Sequence, residues 1–303
     1  MTQSTATNQA MDFDQPMFLG IGVPKGATTW LFDLLKTHPD AWLAEREEVH
    51  FFDREINFSK GLDWYRQFFP EAKQWADFKA VGEVTPSYLY IDQSQIEFIK
   101  NNLPGTHKFI CIVRNPIDRA HSHFKFLKRL SKVPSDQSFD EFLLDPKTIV
   151  EQGRYAKYLS RWLDVYSQDQ ILILVFEEIF QDIEKSKQQV CEFLELDYAR
   201  FPDGAGTQKS NEGFDPKFPK LYALAVRISR GMYDLGLDKL VRKLENYGAK
   251  SLFSARKKAT ADASMSPESR RELRETFTQD VAELEEILGR KIPLWKDFNS
   301  TGD

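Results

Sequence analysis

The sequence predicts an α/β domain of three layers, in which a central parallel sheet is flanked by helices, with a helical insert near the C-terminus. Three observations support this fold class. Short apolar runs alternate with segments of helical period up to about residue 195, as in parallel sheets with crossover helices. The first run ends in a loop that contains Gly and Lys and leads into a helix. The last hundred residues show helical patterns alone.

The strands are expected at the apolar runs 17–23, 80–84, 108–113 and 171–176. Helices are expected over residues 28–36, 93–101, 116–130, 155–165 and 183–194. Pro116 suits a first helical turn, where a missing amide hydrogen costs nothing. Two further helical regions cover 221–247 and 267–288, and Ser266-Pro267-Glu268 is a start signal for the second.

Composition places the chain among soluble globular proteins. It has 303 residues, of which 41% are hydrophobic and 29% charged. Two cysteines and five scattered histidines predict neither a disulfide framework nor a metal site. Residues 1–15 are polar and are expected to form a disordered tail rather than a signal peptide, and no stretch is apolar enough to cross a bilayer. We therefore expect a cytoplasmic protein with one domain over residues 16–303.

Charge is spread unevenly along the chain. The net charge is −5, yet residues 217–258 contain eleven Lys or Arg against three acidic residues. Leu221, Leu224 and Ile228 fall on one helical face of this basic insert or cap. In the favoured interpretation, that face packs on the domain and the basic face is solvated. In the other, the insert borders an acceptor pocket and attracts anionic substrates or, less favoured, a membrane surface.

The loop after the first strand has the composition of an oxyanion site. Pro24-Lys25-Gly26-Ala27-Thr28-Thr29-Trp30 joins a strand to a helix. Loop amides and the helix start attract negative charge, and Lys25 and the two threonine hydroxyls can complete the cage. A solvated lysine in an ordinary strand–helix turn is the alternative for this segment alone.

A second anion contact is predicted where another strand ends. Arg114 follows the strand at 108–113, and Ser122 lies about two turns into the next helix. The carboxyl ends of parallel strands share one edge, where ligands bind, and Arg114 can meet a phosphate with two hydrogen bonds. The alternative is that Arg114 caps its helix and Ser122 packs. Two anion contacts on one edge favour a ligand with two separated phosphate-like groups.

These motifs resemble those of the PAPS-dependent sulfotransferases. Pro24 to Leu31 is similar to the family's P-K-x-G-T-T-W-L loop, and Arg114-Asn115-Pro116 through Arg119 and Ser122 to its R-[DN]-P-x-x-R-x-x-S segment. The segments 47–52, 60–65, 153–162 and 266–290 resemble the heparan-sulfate branch or bacterial members. The likeness covers roughly residues 18–196 and 265–298 and implies a P-loop-like fold.

The resemblance also implies a reaction, in which a sulfuryl group passes from PAPS to a hydroxyl or amine and PAP is released without a metal. It assigns Glu48 as general base and Lys25 as the group that neutralises the leaving phosphate. Thr28 and Thr29 would steady the sulfonate. His50 would orient Glu48 or touch the acceptor, a small molecule or a glycan. The alternative for His50 is a structural hydrogen bond between apolar neighbours.

The remaining donor contacts follow from the same resemblance. Gly26 and Ala27 belong to the loop for the 5′-phosphosulfate, and Arg114 and Ser122 would hold the 3′-phosphate. Trp30 would stack on the adenine or belong to the core, and Tyr155 would line the nucleotide site. Arg256 and Lys257 loosely match a third phosphate contact.

Two positions depart from the family pattern. Ala27 stands where the family usually has Gly, which is tolerable only if its backbone angles are ordinary. Val84 replaces a Lys that assists catalysis in the heparan-sulfate branch, so that kind of glycan specificity is in question.

Two other classes of function remain open. A nucleotide-dependent kinase would use the loop with Glu177-Glu178 and Mg²⁺, although Lys25 precedes Gly26 instead of following it. A non-catalytic nucleotide-binding module is the second alternative. Nucleic-acid binding is not expected, because the chain is acidic overall and the basic insert lacks interleaved aromatic residues.

Overall fold

The computed structural model describes residues 17–103, 106–134, 136–143, 147–207, 219–234 and 264–299. Its core is a five-stranded sheet of order β2-β3-β1-β4-β5, and every neighbouring pair is parallel. The strands are β1 Met17–Gly22, β2 Ala41–Leu43, β3 Ala80–Val84, β4 Thr106–Val113 and β5 Ile171–Val175. The predicted fold class, a parallel sheet in an α/β domain, is confirmed.

At least one helix lies between each strand and the next. They are α1 Thr28–Lys36, α2 Glu55–Phe58, α3 Leu62–Arg66, α4 Ala72–Trp75, α5 Gln93–Asn102, α6 Pro116–Arg129, α7 Phe139–Phe142, α8 Lys147–Glu151, α9 Tyr155–Leu163, α10 Phe176–Gln181, α11 Ile183–Leu194, α12 Pro219–Asp234, α13 Pro267–Leu288 and α14 Lys296–Asn299. The sequence did not predict β2 or α2–α4, because three to five residues are too few to show a period.

The sheet separates two apolar layers. Leu19, Ile21 and Val23 of the first strand segment belong to one core cluster. Phe18, from the same strand, belongs to a second cluster with Trp30 and Leu31 of α1. This alternation follows from the period of two along a strand. The sheet is thus buried on both faces, as expected for parallel strands.

The start of α6 is tied to the C-terminal helices. Asn115 caps α6, since its side-chain oxygen accepts hydrogen bonds from the amides of Ile117 and Asp118. Its side-chain amide donates to Asp297 over 2.8 Å, and Arg270 bonds to the same carboxylate. The turn after β4, which contains Arg114, is therefore linked by hydrogen bonds to α13 and α14.

Of the basic insert, the structure describes α12. Leu221, Leu224 and Ile228 are 53%, 51% and 53% exposed, so the prediction that this apolar face packs on the domain is wrong for these three side chains. Residues 235–258 lie outside the described residues. Within the described ranges, no helix has the length and apolar character needed to span a bilayer.

Candidate active site

All five strands end at one edge of the sheet, and a cavity of about 1110 Å³ lies there. Its walls come from the segments that follow each of the five strands. They include Lys25, Ala27, Thr28, Thr29, Glu47, Glu48, His50, Pro86, Ser87, Arg114, Ser122 and Phe176. The fold thus brings the two predicted anion contacts and the predicted base into one cavity.

The loop after β1 is held by close backbone contacts. The amide of Val23 donates to the carbonyl of Ile112 over 3.0 Å, and the amide of Gly26 donates to Val23 over 2.8 Å. A Cβ on Gly26 would lie 2.4 Å from the Ile112 carbonyl oxygen. Glycine is required here because nothing larger fits against the backbone of β4.

Ala27 does not have the ordinary backbone angles that its methyl group would prefer. It has φ 75° and ψ 29°, in the left-handed region, and Lys25 is also left-handed with φ 71°. A non-glycine residue costs roughly 1–2 kcal/mol in that region. The condition that ordinary angles are needed for a methyl group at Ala27 is therefore wrong, and this loop holds the methyl group in left-handed backbone under strain.

Lys25 lies between an aromatic ring and other cations. Its ammonium is 4.5 Å from the centre of the Phe126 ring. Burial first, and then the nearby Arg129 and Arg114, lower the pKa of Lys25 to about 8, while Glu48 opposes the fall. Lys25 is charged at neutral pH but close to its titration, and an anionic ligand would raise its pKa again.

Arg114 is fixed at one end of its guanidinium and unpaired at the other. Nη1 donates to the carbonyl of Lys25 over 3.3 Å, and the group lies 4.3 Å from the Phe176 ring centre. Nε is buried and has no partner. A buried donor without a partner is costly, and a bound phosphate would satisfy it. Ser122 lines the same cavity.

The two threonines start α1. Their amides belong to the first turn of the helix, and both residues line the cavity. The hydroxyl of Thr29 donates to Glu47 over 2.9 Å. This bond joins the loop after β1 to the segment that carries Glu48.

Trp30 and Tyr155, the two aromatic residues predicted to lie at the nucleotide, are both buried. Trp30 is 2% exposed, and its indole donates to the carbonyl of Gly206 over 2.9 Å. It belongs to the core and also lines the cavity. Tyr155 is fully buried, and its hydroxyl donates to the carbonyl of Arg114 over 2.8 Å. Tyr155 thus holds the backbone of Arg114 from within the core.

Glu48 and His50 are joined in a relay that the sequence did not predict in full. Nε2 of His50 lies 3.1 Å from Oε2 of Glu48, and Nδ1 lies 2.8 Å from Oδ2 of Asp53. Ser87 also donates to Asp53, over 2.5 Å. Asp53 was missed. The signal that could have found it is the spacing Glu-x-His-x-x-Asp, in which Phe51 and Phe52 separate His50 from Asp53.

The relay sets the charge of His50. Burial alone lowers the pKa of His50, but the hydrogen bonds to Asp53 and Glu48 outweigh it and raise the pKa above 6.5. Burial likewise opposes the lowered pKa of Asp53, which its hydrogen bond to His50 produces. Both ring nitrogens can then donate to carboxylates, and Glu48, whose side chain is 46% exposed, faces the cavity.

The acidic pair that a kinase would need is already engaged. Glu177 accepts hydrogen bonds from the amide of Asn115 and from the indole of Trp295, and Glu178 pairs with Arg290. Among the described residues, no three His, Cys, Asp or Glu side chains are grouped to hold a metal ion. Arg256 and Lys257, the loosely matched third phosphate contact, lie outside the described residues.

Comparison with known proteins decides the family. The model of the sulfotransferase domain family matches residues 15–206, more than half of the chain. The chain belongs to the sulfotransferase domain family. The suspected relationship is confirmed, and the matched residues include the loop after β1, Glu48 and Arg114.

Among the relatives of this chain is the human heparan sulfate glucosamine 3-O-sulfotransferase 3B1. The two are 32% identical over 190 residues, which are 60% of this chain and 46% of the relative. This chain thus aligns with about half the length of that relative.

Two solved structures share the fold. The sulfotransferase from Alicyclobacillus acidocaldarius has a TM-score of 0.64 at 23% identity, covering 93% of this chain and 99% of the other. The mouse sulfotransferase SULT7A1 complexed with PAP has a TM-score of 0.52 at 17% identity, covering 94% and 88%. At these identities the likeness concerns the fold.

Proposed function

We propose that this sulfotransferase moves a sulfuryl group from PAPS to a hydroxyl or amine of an acceptor, with Glu48 as the general base. The observation that carries the proposal is the composition of the cavity. Lys25, Arg114 and the start of α1 form a cationic wall, and the Glu48–His50–Asp53 relay lies in the same cavity. Anion binding and proton removal are thereby brought together.

The cationic wall fits a donor with two phosphate groups. Nε of Arg114 is buried and has no hydrogen-bond acceptor. Lys25 and the amides of Thr28 and Thr29 supply further positive charge. Bound PAPS would supply a sulfuryl group attached to a phosphate oxygen, and PAP would remain as the product. Lys25 would stabilise the negative charge that develops on that oxygen as the bond to sulfur breaks.

Glu48 is arranged to take the proton from the acceptor. His50 holds Oε2 of Glu48, and the carboxylate lines the cavity in which the acceptor hydroxyl or amine would bind. As the acceptor atom forms its bond to sulfur, its proton passes to Glu48. Asp53 keeps the ring of His50 in orientation through Nδ1. Thr29 and Glu47 link the two halves of the cavity.

The acceptor is proposed as a small molecule or a glycan. The relatives with heparan sulfate in their names support a glycan. Val84, however, stands where that branch has a lysine, and its side chain is 1% exposed in β3, so that position supplies no cation to an anionic sugar. Arg54 and Lys132 line the cavity and are the described cations in position to attract an acidic group.

The test is transfer from labelled PAPS to pooled small alcohols, phenols, amines and glycans, with EDTA present. We expect a labelled product from at least one pool, and none with Lys25→Ala. Glu55→Gln, at an exposed position outside the cavity, is the control for general damage. If the folded protein binds PAP but no acceptor pool yields a labelled product, the proposed enzyme activity would be overturned in favour of a nucleotide-binding module. Activity with ATP that EDTA abolishes would favour the kinase.

A further inference from the structure

We infer that Glu83, a buried residue outside the cavity, is the positioning residue that fixes the conformation of the loop carrying Glu48 and His50. Glu83 lies on β3 and is 0% exposed. The inference rests on the proposed function only for the roles of Glu48 and His50. Its structural content is a connected set of hydrogen bonds between a buried carboxylate and the base-bearing loop, defined here as residues 48–51.

The base-bearing loop has a backbone that needs support. Glu48 has φ 60° and His50 has φ 57°, both left-handed. Each of these conformations costs roughly 1–2 kcal/mol for a residue with a Cβ. Such a loop keeps its shape only when its surroundings determine it, and the sequence of the loop contains no glycine to relieve it.

Four successive amides of the loop are bonded to one short stretch of chain. Glu48 donates to the carbonyl of Val84 over 3.2 Å, and Val49 donates to Oε2 of Glu83 over 3.4 Å. His50 donates to the hydroxyl of Thr85 over 3.4 Å. Phe51 donates to the hydroxyl of Tyr88 over 2.9 Å. The two hydroxyls thus accept from the loop.

Glu83 accepts hydrogen bonds from both of those hydroxyl groups. Thr85 donates to Oε2 over 2.6 Å, and Tyr88 donates to Oε1 over 2.8 Å. Tyr65 also donates to Oε1, over 2.8 Å. With the Val49 amide, four donors meet two carboxylate oxygens, which matches the accepting capacity of an ionised carboxylate. Burial raises the pKa of Glu83, and the hydrogen bonds from Thr85, Tyr88 and Tyr65 oppose that rise.

The direction of each hydrogen bond follows from this arrangement. Amides of the loop donate to the hydroxyls of Thr85 and Tyr88, so these hydroxyls must give their own hydrogens to Glu83. If the side chain at position 83 donated a hydrogen bond, the hydroxyl of Thr85 or Tyr88 would have to accept it. That hydroxyl could then no longer accept from the loop amide, which would be left unpaired. Glu83 therefore determines where the loop amides can bind, and through them where Glu48 and His50 point.

The chain offers a matched pair of variants. Tyr65 and Tyr88 are both fully buried, and each donates to Oε1 of Glu83 over 2.8 Å. Tyr88 also anchors the Phe51 amide, whereas no hydrogen bond joins Tyr65 to the base-bearing loop among the described contacts. Tyr65→Phe and Tyr88→Phe remove the same group from the same carboxylate, and they differ in the loop anchor.

The first test follows the imidazole of His50 by NMR, with its signal assigned by loss in His50→Asn and without donor or acceptor. We expect the pKa of His50 to stay above 6.5 in the wild type and in Tyr65→Phe. It should fall toward 6.5 in Tyr88→Phe and Thr85→Val, because the contacts with Asp53 and Glu48 loosen. Equal pKa values in Tyr65→Phe and Tyr88→Phe would overturn the inference.

The second test measures turnover and PAP affinity on the same variants. Tyr88→Phe should lower kcat on the order of tenfold, since small displacements of a catalytic group are costly, and Tyr65→Phe should stay within about twofold of the wild type. PAP affinity should be unchanged in both. Equal losses of kcat would assign Glu83 to fold stability alone. The NMR test requires no turnover, so its result stands even if no acceptor is sulfated.

Discussion

The loop after β1 and the loop after β2 both hold non-glycine residues in left-handed backbone beside the same cavity, yet they are supported in different ways. Lys25 and Ala27 are held by close packing of Gly26 against β4. Their neighbour Arg114 keeps a buried donor unpaired. In the base-bearing loop, four amides are bonded to β3 and the turn that follows it, and the relay side chains are bonded to one another.

The difference corresponds to the two tasks that we propose. A sulfate donor with several negative charges can itself accept hydrogen bonds from the cationic wall. The wall can therefore contain an unpaired group, Nε of Arg114, before the donor binds. An acceptor hydroxyl brings no comparable charge, and the general base must be aimed before it arrives. The four predictions below test this division, beginning with the largest expected effect.

Glu48→Gln should reduce sulfuryl transfer on the order of a thousandfold, because the amide cannot accept the proton of the acceptor. The measurement is the initial rate with labelled PAPS at saturating donor. Glu55→Gln serves as the control. A rate within tenfold of the wild type would remove Glu48 from the role of base.

Arg114→Gln should weaken PAP binding by roughly thirtyfold, about 2 kcal/mol, through the loss of charged hydrogen bonds to phosphate. Calorimetric titration with PAP gives the affinity. Arg161→Gln, which removes a guanidinium 3.9 Å from Asp92, is the control. Equal affinities in both variants would show that Arg114 does not meet the donor.

PAP affinity should decline as the pH rises through about 8. The pKa of Lys25 is lowered to about 8 by burial and by Arg129 and Arg114, so its ammonium is present below that pH and is lost above it. We expect roughly tenfold weaker binding at pH 9 than well below pH 8. Lys25→Ala should bind more weakly at neutral pH and show no such step; a step of equal size in Lys25→Ala would assign it to another group.

Ala27→Gly should raise the free energy of unfolding by roughly 1 kcal/mol, because glycine adopts left-handed angles without strain. Thermal unfolding measures the change. Ala120→Gly, in the interior of α6, should lower stability, since glycine is disfavoured within helices. If Ala27→Gly is as destabilising as Ala120→Gly, the loop does not carry the strain that its angles indicate.

Much of the donor side could be predicted from the sequence, because its residues are contiguous. Gly26 and Lys25 lie in one loop, and Arg114 follows an apolar run that could be identified as a strand. Trp30 was ambiguous because an aromatic residue at helical spacing can face either a ligand or the core. Burial decides such cases, and burial depends on how Gly206 and α11 pack.

The acceptor side could be predicted less well, because its order comes from residues distant in sequence. Glu48 and His50 were predicted through family resemblance, and Asp53 was missed. In the sequence, Glu83 is a single polar residue within an apolar strand. Nothing nearby in the sequence shows that the hydroxyls of Tyr65 and Tyr88 donate to its carboxylate. For Ala27 the sequence supplied only a condition, ordinary backbone angles, because the backbone conformation at a substituted glycine cannot be predicted from the residue type.

The most direct test of the division between the two halves is to titrate Glu48→Gln and Arg114→Gln with PAP side by side, on the preparations used for the transfer assay. We predict that Glu48→Gln binds PAP as tightly as the wild type while its sulfuryl transfer falls on the order of a thousandfold, and that Arg114→Gln binds PAP roughly thirtyfold more weakly. Loss of PAP affinity in Glu48→Gln equal to that in Arg114→Gln would contradict the account.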